Sequence, residues 1–412
     1  MTAPRTLIRD VRVFDGLQVS DADAVRLRGE IITQVGRGLT PEADEIVVDG
    51  AGATALPGLI DAHTHVVSGS LEQALAFGVT TELDMFADPH VVIALKTDAR
   101  ARRDLADLRS AGTGATVAGG HPTQLVARGH YPPFPTIGAG TDLDRFVAER
   151  VAEGSDYLKL FLDAGTAVGY PSPTLDPATV VALVAAAHRR GLITVAHPGN
   201  RTETGQLLDA RVDVLAHLPT DRSLTVAIID QIAKQGTVVI PTLTGSNAVC
   251  GRGDGPTLAA DPAFGPLLDP ASQAILTIMG GNFPLGPDAA AQPGAAAASI
   301  PGLLDRRVAL LAGSDAGTLG VAHGASLHQE LALLVDAGLT PTQALTAATA
   351  APAQAFNLTD RGRLHPGLLA DLLLVDGDPT VMITATRAIT GIWRAGTRFD
   401  RGGYRRQLST TR

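Results

Sequence analysis

Two histidines two residues apart, His63 and His65, are the residues whose types and spacing most directly indicate chemistry. They follow the apolar run 56–60 (LPGLI), which is typical of a buried strand. Side chains two positions apart on a strand point to the same face. Two imidazoles at the end of such a strand can bind one divalent cation at Zn–N distances of about 2.0–2.1 Å. The pair alone is a weak signal, since ordinary core or surface histidines also occur at this spacing.

Four further polar residues stand at the ends of short apolar runs: Lys159, His197, His217 and Asp315. Imidazoles, a carboxylate and a lysine gathered in one place are costly to bury unless a metal organises them. A desolvated lysine can lose its proton, and the free amine of Lys159 can then add carbon dioxide to form a carbamate. With that carbamate, the residues supply enough ligands for two ions about 3.5–4 Å apart. The alternative keeps Lys159 as an ammonium beside a substrate carboxylate, with a single metal.

These residues need parallel strands whose carboxyl ends converge. After residue 58, apolar runs alternate with helix-like segments such as 141–153 and 176–190. Asp176 is the expected N-cap of the second segment, with Pro177 at its first helical position. Counted from the histidine pair, the predicted strands cover about 59–66, 79–86, 114–118, 157–163, 192–197, 213–217, 237–242 and 308–315. This order predicts an α/β fold of the (β/α)8 TIM-barrel type, in which active sites lie at the carboxyl ends of the strands.

The ends of the chain are predicted to form a second unit. Residues 1–57 and 363–412 carry short Val, Ile and Leu runs divided by turn sequences, which predicts one discontinuous β-sandwich domain. The barrel domain is predicted over 58–362. Within it, residues 246–300 are rich in Gly, Pro and Ala, and we expect a lid-like insertion, in places mobile. A disordered insertion without a role is the alternative.

Composition narrows the function classes. The chain has 412 residues, 45% of them apolar and 4% aromatic, and a net charge of −9, which argues against a nucleic-acid-binding surface. The single cysteine, Cys250, excludes an intramolecular disulfide and a thiolate metal cluster. The sequence shows no apolar signal-peptide core and no span of about 20 apolar residues. We therefore expect a cytoplasmic protein with a small-molecule substrate and no nucleic-acid or membrane partner, with homo-oligomerisation left open.

The six polar residues and the split β-domain resemble the amidohydrolase superfamily of metal-dependent hydrolases. The run 367–379 (GLLADLLLVDGDP) is similar to the C-terminal signature of that superfamily. Segments 78–81, 119–124 and 322–328 resemble its imidazolonepropionase-like and Xaa-Pro dipeptidase-like branch. The resemblance covers nearly the whole chain outside 246–300. Its metal motifs are far more specific than its substrate motifs.

The resemblance implies a binuclear centre. One ion is held by His63, His65 and Asp315, the second by His197 and His217, and both are bridged by carboxylated Lys159. Zn2+ is the first choice, with Mn2+, Co2+ or Fe2+ as alternatives. A hydroxide bridging the ions is the expected nucleophile, because a metal lowers the pKa of bound water from about 15.7 to about 7. Asp315 is expected to shuttle a proton to the leaving amine.

Two residues outside the ligand set are predicted to contact the substrate carbonyl. They are His121, which follows the third strand, and Tyr170, in the loop after the fourth. For His121 the alternative is a structural loop histidine. His323 and His328, at the helix after the last strand, are predicted to cap or pack that helix.

The expected activity is hydrolysis of an amide-type C–N bond in a dipeptide, N-acyl amino acid, cyclic amide, urea or carbamate. A lactone or ester hydrolase with the same centre is one alternative, since both reactions pass through a tetrahedral oxyanion. A mononuclear deaminase is a second alternative and makes Lys159 redundant. A non-catalytic homologue serving as a scaffold is the least favoured, because all six ligand positions are filled.

Overall fold

The computed structural model describes residues 5–411 of the chain. Its strands are β1 (Arg5–Arg9), β2 (Arg12–Phe14), β3 (Val19–Ser20), β4 (Ala24–Arg28), β5 (Ile31–Gly36), β6 (Ile46–Asp49), β7 (Thr54–Pro57), β8 (Leu59–Thr64), β9 (Val79–Asp84), β10 (Asp107–Ser110), β11 (Leu158–Leu162), β12 (Thr194–Pro198), β13 (Val214–Ala216), β14 (Val238–Ile240), β15 (Leu372–Val375), β16 (Ile389–Arg394) and β17 (Thr397–Arg398).

Helices follow most of the central strands. They are α1 (Ser70–Ala76), α2 (Pro89–Ala101), α3 (Gln124–Ala127), α4 (Leu143–Ala152), α5 (Pro177–His188), α6 (Arg201–Asp209), α7 (Val226–Gln235), α8 (Leu243–Val249), α9 (Gly255–Ala260), α10 (Pro270–Thr277), α11 (Ile300–Asp305), α12 (Ala325–Asp336), α13 (Pro341–Ala347), α14 (Ala350–Ala355) and α15 (Arg401–Thr411). In α5 the Asp176 side chain accepts from the Thr179 backbone N–H and Pro177 opens the helix, which confirms the predicted cap. None of the helices within residues 5–411 is both long and apolar enough to cross a membrane.

Two parallel sheets form the centre of the fold, with strand orders β8-β9-β10 and β11-β12-β13-β14. Their strands are short, and every residue of β8, β9 and β11 is buried. Such strands, buried on both faces, are the pattern expected of a parallel sheet covered by helices. The alternation of strands and helices after residue 58 therefore agrees with the prediction.

The predicted third strand, over 114–118, is wrong in its position. The regular strand is β10, which pairs with β9, and the later segment makes single bridges, such as that of Ala115 with Leu160 of β11. The chain turns between the two at Gly112, whose φ is +58°. At Gly114 an added Cβ would lie 2.5 Å from the Phe161 ring. Glycine is therefore needed where the chain leaves one strand neighbour for the other.

The predicted eighth strand, over 308–315, is also less regular than expected. Leu310 bridges Val239 of β14, and Ala316 bridges Thr64 of β8. Between them the Ala62 N–H donates to the Ala312 carbonyl over 2.9 Å. The segment thus hydrogen-bonds to an edge strand of each parallel sheet.

The terminal segments pair with each other, as the sequence predicts. β7 runs antiparallel to β15 and parallel to β2, within a sheet of order β17-β16-β15-β7-β2-β3. A second terminal sheet has the order β5-β4-β1-β6. Trp393, 1% exposed, packs with apolar residues from both ends of the chain.

The insertion between β14 and the Leu310 bridge, residues 246–300, contains short helices rather than only irregular loop. Its Phe264 is fully buried, with its ring 4.8 Å from that of Phe77 and 5.1 Å from that of His328. These contacts anchor the insertion to α12 and to the end of α1. Its expected role as a lid stays a prediction.

Candidate metal centre

His63 lies on β8 and His65 directly after it, with ring centroids 5.3 Å apart. The Nδ1 of His65 is 3.2 Å from the Phe86 carbonyl. A carbonyl only accepts hydrogen bonds, so Nδ1 carries the proton and Nε2 presents its lone pair to the site. That Nε2 lies 3.3 Å from Oδ1 of Asp315, and the Nε2 of His63 lies 3.5 Å from the same oxygen. Lone pairs and a carboxylate oxygen repel at this distance unless a cation or proton stands between them.

The tautomer of His217, which follows β13, is fixed in the same way. Its Nδ1 is 2.6 Å from the Thr242 hydroxyl oxygen, and that hydroxyl donates to the Pro241 carbonyl over 2.9 Å. Nδ1 of His217 must therefore be the donor, which leaves the Nε2 lone pair free. Metal-binding histidines typically hold their second ring nitrogen in such a hydrogen bond. The His217 ring lies 4.5 Å from the rings of both His63 and His197.

Three residues at the carboxyl ends of successive strands have a left-handed backbone. The φ angles are +79° at His217, +46° at Thr242 and +69° at Asp315. Positive φ is uncommon outside glycine and costs on the order of 1–3 kcal/mol per residue. Such strain persists only where surrounding contacts enforce it, and it concentrates at functional sites.

Lys159 is placed differently from the expectation that it ends its strand. It is the second residue of β11 and is fully buried. Within the described part of the chain its Nζ has no hydrogen-bond partner; it lies 5.4 Å from the centroid of the Phe161 ring. Burial lowers the pKa of Lys159 to about 7, although the charges of Asp315 and Asp84 oppose the shift. A neutral amine is therefore accessible near neutral pH.

Burial also keeps His63 and His217 neutral. It lowers the pKa of His63 and of His217 well below the usual range, and the charge of Lys159 adds to the effect at both. For residues 5–411, both ring nitrogens of His63 and Oδ1 of Asp315 are buried without a hydrogen-bond partner. Unpaired buried polar atoms are costly. A metal ion would satisfy Oδ1 of Asp315 and one ring nitrogen of His63, so these residues fit the predicted group.

Two groups of potential ligands emerge, each with its ligand atoms within 4.8 Å of one another. The first contains His63, His217 and Asp315. The second contains His121, Asp163 and His197. The first agrees with part of the predicted ligand set. The second brings in Asp163, which the sequence reasoning missed, and His121, predicted as a substrate contact.

Asp163 directly follows β11, and its Oδ2 is 3.3 Å from Nε2 of His197. Burial alone raises the pKa of Asp163, but its hydrogen bond with His197 and nearby charges outweigh this and lower it. The carboxylate is therefore ionised. Its position at a strand end was the signal that could have identified it, because the same rule selected His197 and Asp315.

His121 stacks on His197, with centroids 5.0 Å apart and 27° between the ring planes. Its Nδ1 is 2.8 Å from the Gln124 amide nitrogen. Because that amide donates, Nδ1 is the acceptor and Nε2 carries the proton. Burial, together with the charge of His197, lowers the pKa of His121 to about 3. A neutral donor beside the centre is compatible with the predicted substrate contact, which stays a prediction.

Tyr170 lies apart from the histidines in its described contacts. Its side chain is 48% exposed, and its ring stands 6.5 Å from that of Phe283 in the insertion. Its predicted role toward the substrate carbonyl stays a prediction.

Buried carboxylates hold the strand ends behind the centre. Asp61 accepts from the His63 and Ser314 backbone N–H groups, and the Ser314 hydroxyl donates to it as well. Burial raises the pKa of Asp61 to about 7. His323 pairs with Glu82 at 2.8 Å, and both are buried. Neither His323 nor His328, whose Nε2 is 2.8 Å from the Phe77 carbonyl, is among the potential ligand groups of the described residues.

The model of the amidohydrolase family matches residues 54–398. The chain belongs to the amidohydrolase family. This amidohydrolase is 28% identical to an imidazolonepropionase of Streptomyces coelicolor over 92% of each chain. It is 24% identical to one of Rhodococcus jostii, over 90% of this chain and 87% of the relative. A solved Xaa-Pro dipeptidase with bound methionine is similar in fold, with a TM-score of 0.77, 22% identity and coverage of 96% and 99%.

Family membership establishes the reaction class and the fold class. The amidohydrolase is a hydrolase that acts on carbon–nitrogen bonds, and its α/β fold is TIM-barrel-like. Amidohydrolases generally use divalent metals, and the His and Asp groups described above are able to bind one.

Proposed function

We propose that this amidohydrolase cleaves an amide-type C–N bond with two divalent ions, Zn2+ being the first choice and Mn2+, Co2+ or Fe2+ the alternatives. The observation that carries the proposal is Lys159. It is fully buried, and its Nζ has no hydrogen-bond partner among residues 5–411. Its charge adds to the effect of burial in lowering the pKa of His63, His121 and His217. An ammonium in that place would be strongly destabilised. A carbamate, formed from the neutral amine and carbon dioxide with loss of a proton, would give this lysine a stable state as a ligand of the metal ions.

Different residues of the chain would bind the metal ions, transfer the proton and contact the substrate. His63, His65 and Asp315 would hold one ion, His197 and His217 the other, and carboxylated Lys159 both. Bound divalent ions supply a water of lowered pKa and polarise the substrate carbonyl. Asp315, whose Oδ1 lies close to Nε2 of both His63 and His65, can accept a proton and return it to the leaving amine. His121, with a proton on Nε2, can donate to the carbonyl oxygen as negative charge develops there.

The fold supports this arrangement. We propose that the two parallel sheets form one closed barrel over residues 58–362, because Leu310 and Ala316 bridge β14 and β8 respectively. The terminal sheets would form the β-sandwich domain over 1–57 and 363–412, and residues 246–300 a lid. Closure would bring the carboxyl ends of all the strands to one mouth.

The substrate is proposed to be a small molecule with an amide-type bond: a dipeptide, an N-acyl amino acid, a cyclic amide, or a urea or carbamate. The relatives named imidazolonepropionase and the fold neighbour named Xaa-Pro dipeptidase support trying cyclic amides and dipeptides first.

Metal analysis with a Lys159→Ala variant tests the binuclear centre. Protein purified without chelator should contain close to two metal equivalents, and Lys159→Ala should lose at least one of them with nearly all activity. Activity is measured with dipeptides, N-acyl amino acids, cyclic amides and aryl ureas. Lactones are included to test the alternative that the enzyme cleaves an ester bond. At most one equivalent in the wild type, with Lys159→Ala still active, would overturn the two-metal proposal in favour of a mononuclear enzyme.

A further inference from the structure

Aromatic side chains are scarce in this chain but concentrated beside the metal centre. The sequence has ten Phe, four Tyr and one Trp. Four of these, Phe86, Tyr131, Phe134 and Phe161, form one cluster. The Phe86 ring is 5.0 Å from Tyr131, 5.1 Å from Phe134 and 5.7 Å from Phe161. We refer to these four residues as the aromatic wall.

The wall contacts the centre directly. Phe161 is 5.4 Å from the ring of His121 and 5.7 Å from that of His197. The Phe86 carbonyl accepts the hydrogen bond that fixes the tautomer of His65. A group bound against the wall therefore lies next to the reacting atoms of a substrate.

Two strands and one loop build the wall. Phe161 lies on β11, and Phe86 follows β9; both are 3% exposed. Tyr131 and Phe134 lie in the segment between α3 and α4, and each is only partly buried. Prolines at 132, 133 and 135 surround Phe134 and fix the backbone φ there. The Tyr131 hydroxyl donates to the Phe86 carbonyl over 3.2 Å, which holds the loop against the strand.

We propose that the aromatic wall binds an aryl group of the substrate. The substrate class would then be amides or ureas in which an aromatic ring is bonded to the scissile carbonyl or nitrogen. The inference rests on the proposed function, because it concerns the substrate of that same site. Rings packed edge-to-face or offset gain more than the equivalent aliphatic surface. A pre-formed wall also avoids the cost of ordering it on binding.

Matched substrate pairs test the preference on the metal-loaded enzyme. N-benzoylglycine is compared with N-acetylglycine, and acetanilide with N-methylacetamide, so that the ring stands on the acyl or on the amine side. We expect kcat/KM to be at least about tenfold higher for the aryl member of one pair. N-cyclohexanecarbonylglycine and N-cyclohexylacetamide should fall about three- to tenfold below their aryl counterparts. Equal kcat/KM within both pairs would overturn the proposal.

Phe134→Leu is the decisive variant, because it removes a ring but keeps an apolar side chain at a half-buried position. It should lower kcat/KM for the aryl substrate more than for the alkyl substrate, so that the aryl-to-alkyl ratio falls about three- to tenfold. The matched control is Phe399→Leu, which removes a ring packed on Tyr404 at 6.1 Å in the C-terminal segment. The control should keep the wild-type ratio. If Phe134→Leu slows both members equally, the wall only supports the loop and the proposal fails.

A binding measurement separates this inference from the proposed hydrolysis. Saturation-transfer NMR with benzoate and with aniline, the aryl products, should show ring contacts to the purified enzyme that weaken in Phe134→Leu and persist in Phe399→Leu. Such binding without hydrolysis of any amide would support the wall and contradict the proposed function. Metal-dependent hydrolysis without aryl binding or preference would contradict the wall and leave the proposed function standing.

Discussion

Hydrogen bonds on the far side of each ring decide which nitrogen of His65 and His217 faces the centre. For His217 the acceptor is the Thr242 hydroxyl, at 2.6 Å from Nδ1. Thr242 is itself fully buried and has a left-handed backbone. The metal affinity of the centre should therefore depend on a residue that is not a ligand.

Thr242→Val tests this dependence, since valine keeps the shape but removes the acceptor of the His217 N–H. We expect metal affinity to fall about 10–100-fold, the usual effect of losing such a partner. The measurement is metal retained after dialysis against a graded chelator series. Thr242→Ser, which keeps the hydroxyl, should behave like the wild type. Unchanged affinity in Thr242→Val would show that this hydrogen bond does not support metal binding, and equal loss in both variants would indicate disturbed packing at residue 242 rather than loss of the hydrogen bond.

Asp315 combines a ligand position with a proton-transfer position, because its Oδ1 lies within 3.5 Å of Nε2 of both His63 and His65. Asp315→Asn keeps an oxygen ligand but removes the basic carboxylate. Most metal should stay bound while turnover falls about 10²–10⁴-fold. Parallel metal analysis and steady-state kinetics measure the two effects. Turnover close to the wild-type value would exclude Asp315 as the proton shuttle.

For individual residues, the sequence predicted which residue types form the candidate metal centre but not where each of them lies along its strand. His63, His65, His217 and Asp315 could be identified because each follows an apolar run, and the structure brings them together. Asp163 was not predicted, because Lys159 already supplied a polar residue for the fourth predicted strand. Lys159 lies at the second position of β11 and not at its end, where a rule based on strand ends does not place a ligand.

At the scale of elements, His328 joins three parts of the fold. It lies on α12, its Nε2 is 2.8 Å from the Phe77 carbonyl after α1, and its ring is 5.1 Å from Phe264 of the insertion. Burial lowers the pKa of His328 from 6.5 to about 4. The folded state therefore holds it neutral where the unfolded state begins to protonate it.

This difference predicts acid sensitivity with a definite sign. Between pH 4 and pH 6.5, the unfolded chain binds a proton at His328 that the folded protein does not bind. Neutral His328 therefore stabilises the folded state above pH 6.5, and this stabilisation is lost as the pH falls through 4. Between pH 7 and pH 5 the loss amounts to about 2 kcal/mol of unfolding free energy. In His328→Gln this component of the pH slope should disappear. Parallel slopes of urea-unfolding free energy in both proteins would show that His328 does not titrate on unfolding.

Element boundaries were predictable where capping and turn residues mark them and less so where packing decides. Asp176 and Pro177 locate the start of α5. The third strand was misplaced because 114–118 is apolar, whereas the paired segment, β10, contains Asp107 and Arg109. Asp107 is stabilised by Arg361 and Arg394, both distant in the sequence, and no local pattern reveals such partners.

At the scale of the whole molecule, buried ion pairs connect the terminal sheets to the strands of the centre. Asp107 of β10 lies 2.6 Å from Arg361 and 3.8 Å from Arg394 of β16. Arg394 also pairs with Asp371, at 3.2 Å. All four residues are less than 9% exposed. The pairing of the chain ends was predictable from their strand signals, but this network was not, since Asp107 and Arg361 are 254 residues apart.

Arg361→Met should separate the contribution of this network from that of ordinary surface charge. The substitution leaves the Asp107 carboxylate buried with weaker partners, and removing one member of a buried pair costs about 3 kcal/mol or more. The matched control is Arg102→Met, whose pair with Asp104 is 48% exposed on both sides and should be worth less than about 1 kcal/mol. The destabilisation in both variants is measured as the free energy of unfolding in urea, at low salt and at 0.5 M added salt. At the higher ionic strength, screening acts over only about 4 Å. Added salt should abolish the small destabilisation caused by Arg102→Met and leave the larger one caused by Arg361→Met, because screening weakens exposed pairs far more than buried ones. If Arg361→Met were as mild as the control and as sensitive to salt, Asp107 would have to be stabilised by Arg109 and Arg394 alone, and the ion pair with Arg361 would contribute no more than an exposed pair.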